Sequence, residues 1–138
     1  MVYDKNKSPV GWYYGSYLLR FVELDDVKRN NPERRFASWE NTVIVEARTL
    51  NAAFAKVEKI GKAASKSYRG GTNGIRVRWE YLGITDLVPI YEQLEDGAEI
   101  AWTERWPRKL GILKKIVRSR RVLEGSSGRL KPRRFPAG

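Results

Sequence analysis

Residues 42–61, TVIVEARTLNAAFAKVEKIG, pass from one hydrophobic periodicity to another without a break, and this junction constrains the fold more than any other stretch. Val43, Ile44 and Val45 form a β-branched run that is too short for a free-standing helix and suits a strand well covered by neighbours. From Leu50 the spacing changes. Leu50, Ala53, Phe54, Val57, Ile60 and Ala64 recur at three and four residues, the stripe of an amphipathic helix, while Lys56, Lys59 and Lys62 fall off it. Thr49 is the candidate N-cap, because its hydroxyl can take an otherwise orphaned amide of the first turn. Gly61 either ends the helix in a left-handed cap or sits inside it at a cost of about 1 kcal/mol relative to Ala.

The flanking sequence supplies the sheet on which such a helix lies. Trp12–Leu24 carries Tyr13, Tyr17, Leu19 and Phe21 on one parity and Trp12, Tyr14, Leu18, Val22 and Leu24 on the other, which predicts an interior strand bulged or bent at Gly15. Asn31-Pro32 and dense charge mark Asp25–Phe36 as an exposed loop, and Trp39–Ala47 is the second strand. After the helix, Ser67–Gly74 reads as a turn cluster. Ile75, Val77, Trp79 and Tyr81 then alternate with Arg76, Arg78 and Glu80, the pattern of a half-exposed antiparallel strand. Pro89 demotes Thr85–Tyr91 to an edge or irregular segment, Glu92–Gly97 reads as a turn, and Glu99–Trp102 reads as a short final strand. The expectation is an α+β domain over residues 1–106: a small antiparallel sheet of four to five strands, in the order β-β-α-β-β-β, with one helix packed on a face.

Charge divides the chain. The net charge is +11, yet residues 1–100 hold 15 Lys/Arg against 14 Asp/Glu, whereas residues 101–138 hold 12 against 2. A one-sided block of this kind is ordinarily an interaction tail for nucleic acid, an anionic membrane surface or an acidic protein. Residues 107–138 therefore form a basic extension. Leu110, Leu113, Ile116, Val117 and Val122 among its cations predict a basic amphipathic helix weakened by Gly111, followed by a flexible GSSG linker at 125–128. The candidate contacts to an anionic partner are Arg108, Lys109, Lys114, Lys115, Arg118, Arg120, Arg121, Arg129, Lys131, Arg133 and Arg134, the arginines being suited to bidentate phosphate contact.

The chain has no Cys and no His. It therefore lacks disulfides, thiolate chemistry, the usual general base and the commonest metal ligand, and a reducing, cytoplasmic setting is expected. No signal peptide is expected from MVYDKNKSPVG, and no run of about 18 apolar residues offers a transmembrane span. Among the carboxylates, Asp96-Gly97 reads as a turn rather than a catalytic site, and Gly70–Gly74 lacks the Lys-Ser/Thr and helix of a phosphate cradle. Trp12, Tyr13, Tyr14 and Tyr17 resemble a base-stacking platform but read first as sheet packing.

The succession WYYGSYLLRF, ENTVIVEARTLNAAFAKVEKIGK, SYRGGTNGIRVRWEYLGITDL and LEDGAEI resembles the bacterial domain-of-unknown-function family 4288 over about residues 12–102. The matching positions are Trp12, Tyr13, Glu46, Ala47, Gly61, Lys62, Tyr68, Gly74, Val77, Trp79, Gly83, Asp86, Leu87, Asp96, Gly97 and Glu99. The resemblance implies the same fold and carries no catalytic residue or ligand with it. Asp25–Phe36 and the tail look like additions to the family pattern. The resulting expectation is a non-enzymatic accessory or binding subunit without cofactor, whose basic tail engages nucleic acid or another acidic surface in a larger assembly. The alternatives are an immunity- or inhibitor-type protein that binds an acidic partner, and a peripheral membrane protein.

Overall fold

Tyr13, Tyr17 and Leu19 share one parity of a strand and are all buried, which identifies the face on which the domain is built. They lie on β1 (Trp12–Glu23), the central strand of an antiparallel sheet in a computed structural model describing residues 4–65, 67–69 and 74–126. Three long strands carry that sheet in the order β2-β1-β4, where β2 is Ser38–Glu46 and β4 is Arg76–Pro89. The three-residue β3 (Ser67–Arg69) adds to the outer edge of β4 at Arg76–Arg78. Between β2 and β3 runs α1 (Leu50–Ala63), which packs chiefly across β1 and β4, on the face that carries the odd-numbered residues of β1 and β2.

Thr49 caps α1 as expected, its hydroxyl accepting the Ala52 N–H at 3.0 Å. Only small residues reach the centre of the contact: Ala53, Val57 and Gly61 are buried, while Phe54 and Ile60 remain 44% and 38% exposed. The six-residue apolar stripe is thus narrower than its spacing predicts. Phe54 and Ile60 flank it because the helix lies too close to the sheet for large side chains at the centre. Gly61 is inside the helix rather than a left-handed cap, and no side chain fits there, because a Cβ would stand 2.6 Å from Tyr81 Cδ1 and 3.2 Å from Tyr17 Cδ2. Burial, with the Glu58 carboxylate, pushes the Tyr81 phenol up.

Other expectations are corrected. The order β-β-α-β-β-β does not form, because Glu99–Trp102 makes no strand. Instead the Trp102 ring packs on Tyr91 with centroids 6.1 Å apart. Thr85–Pro89 is regular strand that continues β4, paired to β1 on one side and lying past β3 on the other, so the edge reading of it holds and the irregular one does not. Pro89 is tolerated there because Ile90 N–H donates to Trp12 O, so by alternation the proline nitrogen faces away from β1, beyond the reach of β3. The bulges fall in β4, where Leu82 and Thr85 are skipped in the register, and not at Gly15. Ser67–Arg69 is strand rather than turn; in the rest of that cluster residues 70–73 lie outside the described residues, and Gly74 takes a positive φ of 73°. The Val43-Ile44-Val45 run is not well covered: β2 is an edge strand, Val45 is buried and Ile44 is 43% exposed.

The loop between β1 and β2 is exposed but firmly tied. Arg20 on β1 forms an ion pair with Glu80 at 2.8 Å, donates to Arg29 O at 2.6 Å and stands 4.6 Å above the Phe36 ring. The Asp96-Gly97 turn forms as expected, with Gly97 at φ 86° and Ala98 N–H donating to Glu95 O.

The chain divides into two compact units, residues 1–102 and 103–138. In the second, α2 (Leu110–Ile116) and α3 (Arg120–Ser126) replace the single amphipathic helix expected there.

Candidate nucleic-acid interface

The break between α2 and α3 has a local cause. Val117 is extended, at φ −67° and ψ 136°, and Ser119 then starts a new helix by accepting the Val122 N–H on its hydroxyl at 3.2 Å. Ser is a strong N-cap, so R-S-R-R was a readable helix start within the cationic stretch; the apolar spacing across it concealed the signal.

This geometry distributes the cations along three kinds of backbone. Arg108 lies in the segment after Pro107, and Lys109 is the N-cap residue of α2 without a side-chain cap bond. Lys114 and Lys115 occupy the last turn of α2, where they complement the helix dipole. Arg118 sits between the helices, and Arg120 and Arg121 open α3. Two cations in a first turn oppose the dipole; Glu124 compensates by pairing with Arg120 one turn away, at 2.9 Å. All seven of these residues are exposed. Arg129, Lys131, Arg133 and Arg134 lie outside the described residues.

On α2 the apolar residues Leu110, Ile112, Leu113 and Ile116 occupy one arc and Lys114 and Lys115 the other, by the 100° advance per residue. All four apolar residues are exposed, from 36% at Ile116 to 65% at Leu110. Trp106 is 85% exposed. No described helix is long and apolar enough to cross a membrane.

In the body the aromatic strand divides by face. Tyr13 and Tyr17 are core residues, whereas Trp12 and Tyr14 are half-buried on the face away from α1. Trp79 is core as well, between Phe21 and Trp39 with centroid distances of 5.3 and 5.8 Å. Glu80 is engaged by Arg20, Asp96 belongs to its turn, and Asp86 and Glu99 are exposed. Among the described residues there is no group of three or more His, Cys, Asp or Glu arranged to hold a metal.

The body that bears this tail matches the sequence model of a family described as Domain of unknown function (DUF4288), over residues 12–102. The chain belongs to the DUF4288 family. The match ends where the first compact unit ends, and the basic extension lies outside it. Searches of curated proteins and of solved structures find no match.

Proposed function

We infer that the protein is a non-enzymatic binding subunit whose α+β body anchors it in an assembly and whose basic segment, from Arg108 onward, engages the phosphate backbone of nucleic acid. One observation carries this reading: Arg108, Lys109, Lys114, Lys115, Arg118, Arg120 and Arg121 are all exposed on two short helices and their flanks, outside the domain that the family shares. Cations strung along backbone of varied geometry suit phosphates, which position a protein without reading sequence. In the sequence the run of cations continues with Arg129, Lys131, Arg133 and Arg134. A cytoplasmic location belongs to this reading, and a chain without cysteine is compatible with it.

The test is salt dependence. Binding to duplex should weaken with salt at a log-log slope of about −0.9 per phosphate contacted, or about −0.7 on single strands. Replacing Lys114, Lys115, Arg118 and Arg121 with Gln should reduce that slope and weaken unrelated sequences alike. Undetectable binding to both RNA and DNA at low salt overturns the reading.

The exposed apolar arc of α2, with exposed Trp106 shortly before it in the sequence, favours a second reading, attachment to an anionic membrane surface. In that case Trp106→Ala and Ile116→Ser weaken binding to anionic vesicles as strongly as loss of the cations does, and nucleic acid does not compete.

A further inference from the structure

One side of β2 is unclaimed by the sheet. Ala47 N–H donates to Gly11 O and Ala37 O accepts from Phe21 N–H, both at 2.9 Å, so odd-numbered residues here direct their backbone groups at β1. The β1–β2 register runs without a shift from Trp12–Glu46 to Arg20–Ser38. Backbone groups alternate along a strand, and Glu40, Thr42 and Ile44 accordingly direct N–H and C=O outward. The Glu46 carbonyl is already engaged, accepting from Lys56 Nζ at 2.6 Å. An open ladder therefore spans Glu40–Ile44. Among the described residues, the outer side of β4 past its pairing with β3, from Glu80 on, is interrupted at Leu82 and Thr85 and ends in Pro89, features that spoil an edge for pairing. Along its whole length β2 has neither a proline nor a bulge.

The same even-numbered residues present their side chains on the face away from α1. Glu40, Thr42, Ile44 and Glu46 are exposed there, and Asp86 lies in the row of Thr42, across Ser16. β2 contains no Lys or Arg, and neither Glu40 nor Glu46 forms an ion pair with a described residue. In a chain of net charge +11, an anionic strip beside an open ladder is a local reversal of sign.

We propose that the β2 edge is a docking site for an extended cationic segment of a partner protein, which adds antiparallel to β2 as a further strand. The ladder hydrogen bonds supply affinity. Lys or Arg beside Glu40 and Glu46, with an apolar residue beside Ile44, supply specificity. A second copy of this chain fits less well, because two paired β2 strands bring four glutamates and no cation to that face. Centred on Val43, such a pair sets Glu40 against Glu46; centred on Thr42, it covers Ile44 with a glutamate. The proposal concerns the body alone and holds whatever the tail binds.

The test uses the full-length, isotopically labelled protein and two synthetic nine-residue peptides. Both carry valine opposite Ile44 and threonine elsewhere; one has lysine opposite Glu40 and Glu46, the other glutamate. The lysine peptide should bind saturably and slow amide exchange at Glu40, Thr42 and Ile44 at least tenfold. Joint Glu40→Lys and Glu46→Lys substitution should weaken it at least tenfold, and the milder Glu40→Gln/Glu46→Gln pair should weaken it while the melting curve is unchanged. Equal slowing by both peptides at these amides, or lysine-peptide binding without slowing, overturns the proposal. So does slowing without peptide in a protein that sediments as a dimer, which would assign the edge to a second copy.

Discussion

Val57 of α1 rests directly on Gly15 of β1: a Cβ at Gly15 would stand 2.6 Å from Val57 Cγ2 and 3.2 Å from Cγ1. The missing side chain on the strand sets how near the helix lies. Gly61 does the same from the other side, leaving room on the helix for the Tyr81 ring. Gly15→Ala should destabilise the domain by about 1–3 kcal/mol, the usual cost of overpacking. In a Val57→Ala background the penalty should shrink by at least about 0.5 kcal/mol, as measured by a double-mutant cycle in denaturant. Additive losses would show that the two residues do not share the contact.

The narrow stripe on α1 ranks two further substitutions. Val57→Ala should cost about 2 kcal/mol, because its side chain is fully buried between helix and sheet. Phe54→Ala, although it removes the larger side chain, should cost about 1 kcal/mol or less, since the ring flanks the contact. Chemical unfolding of both variants checks the order, and a reversal would place Phe54 beneath the helix.

Asp26 makes the loop after β1 sensitive to acid. Its carboxylate accepts the Lys28 N–H at 2.9 Å and two Arg34 nitrogens at 3.2 and 2.6 Å, and these bonds hold its pKa below the ordinary 3.8. Because the folded value is the lower one, the stabilisation is present above the unfolded carboxylate range, about pH 4, and is lost as pH falls through the folded pKa. A carboxyl NMR titration should give a midpoint below 3.8 for Asp26, and Arg34→Gln should raise it.

Removal of residues 103–138 should leave cooperative, two-state thermal unfolding, since the first compact unit ends at Trp102 and retains the Tyr91–Trp102 ring contact. A truncated chain that melts without a sharp transition would make the basic unit part of the fold.

The sequence was most legible where local chemistry and packing agree. Thr49 is an N-cap by type and position, and the alternation at Val77, Trp79 and Tyr81 describes a half-exposed strand that does form. It misled where tertiary distance decides. Periodicity gives Phe54 and Val57 equal claims to the core; only the closeness set by Gly15 and Gly61 separates them. Val43-Ile44-Val45 reads as buried on composition, but an edge strand leaves every second residue exposed. In the tail, the apolar spacing across Val117–Ser119 suggested continuity, while one serine hydroxyl was enough to begin a second helix.

The position of β1 governs how the body can assemble. The central strand is the first made and pairs with both β2 and β4, and its β4 contacts extend from Glu23–Val77 to Tyr13–Pro89. Closing so large a loop is slow compared with forming a helix or a hairpin. While the chain is being synthesised, β1, β2 and α1 are complete before β4 begins at Arg76, and the flank of β1 that β4 covers is not fully paired until Pro89 has been added. Folding of the whole body is timed by its last strand, and the interval before that strand arrives is when the chain is most open to pairing with the wrong one.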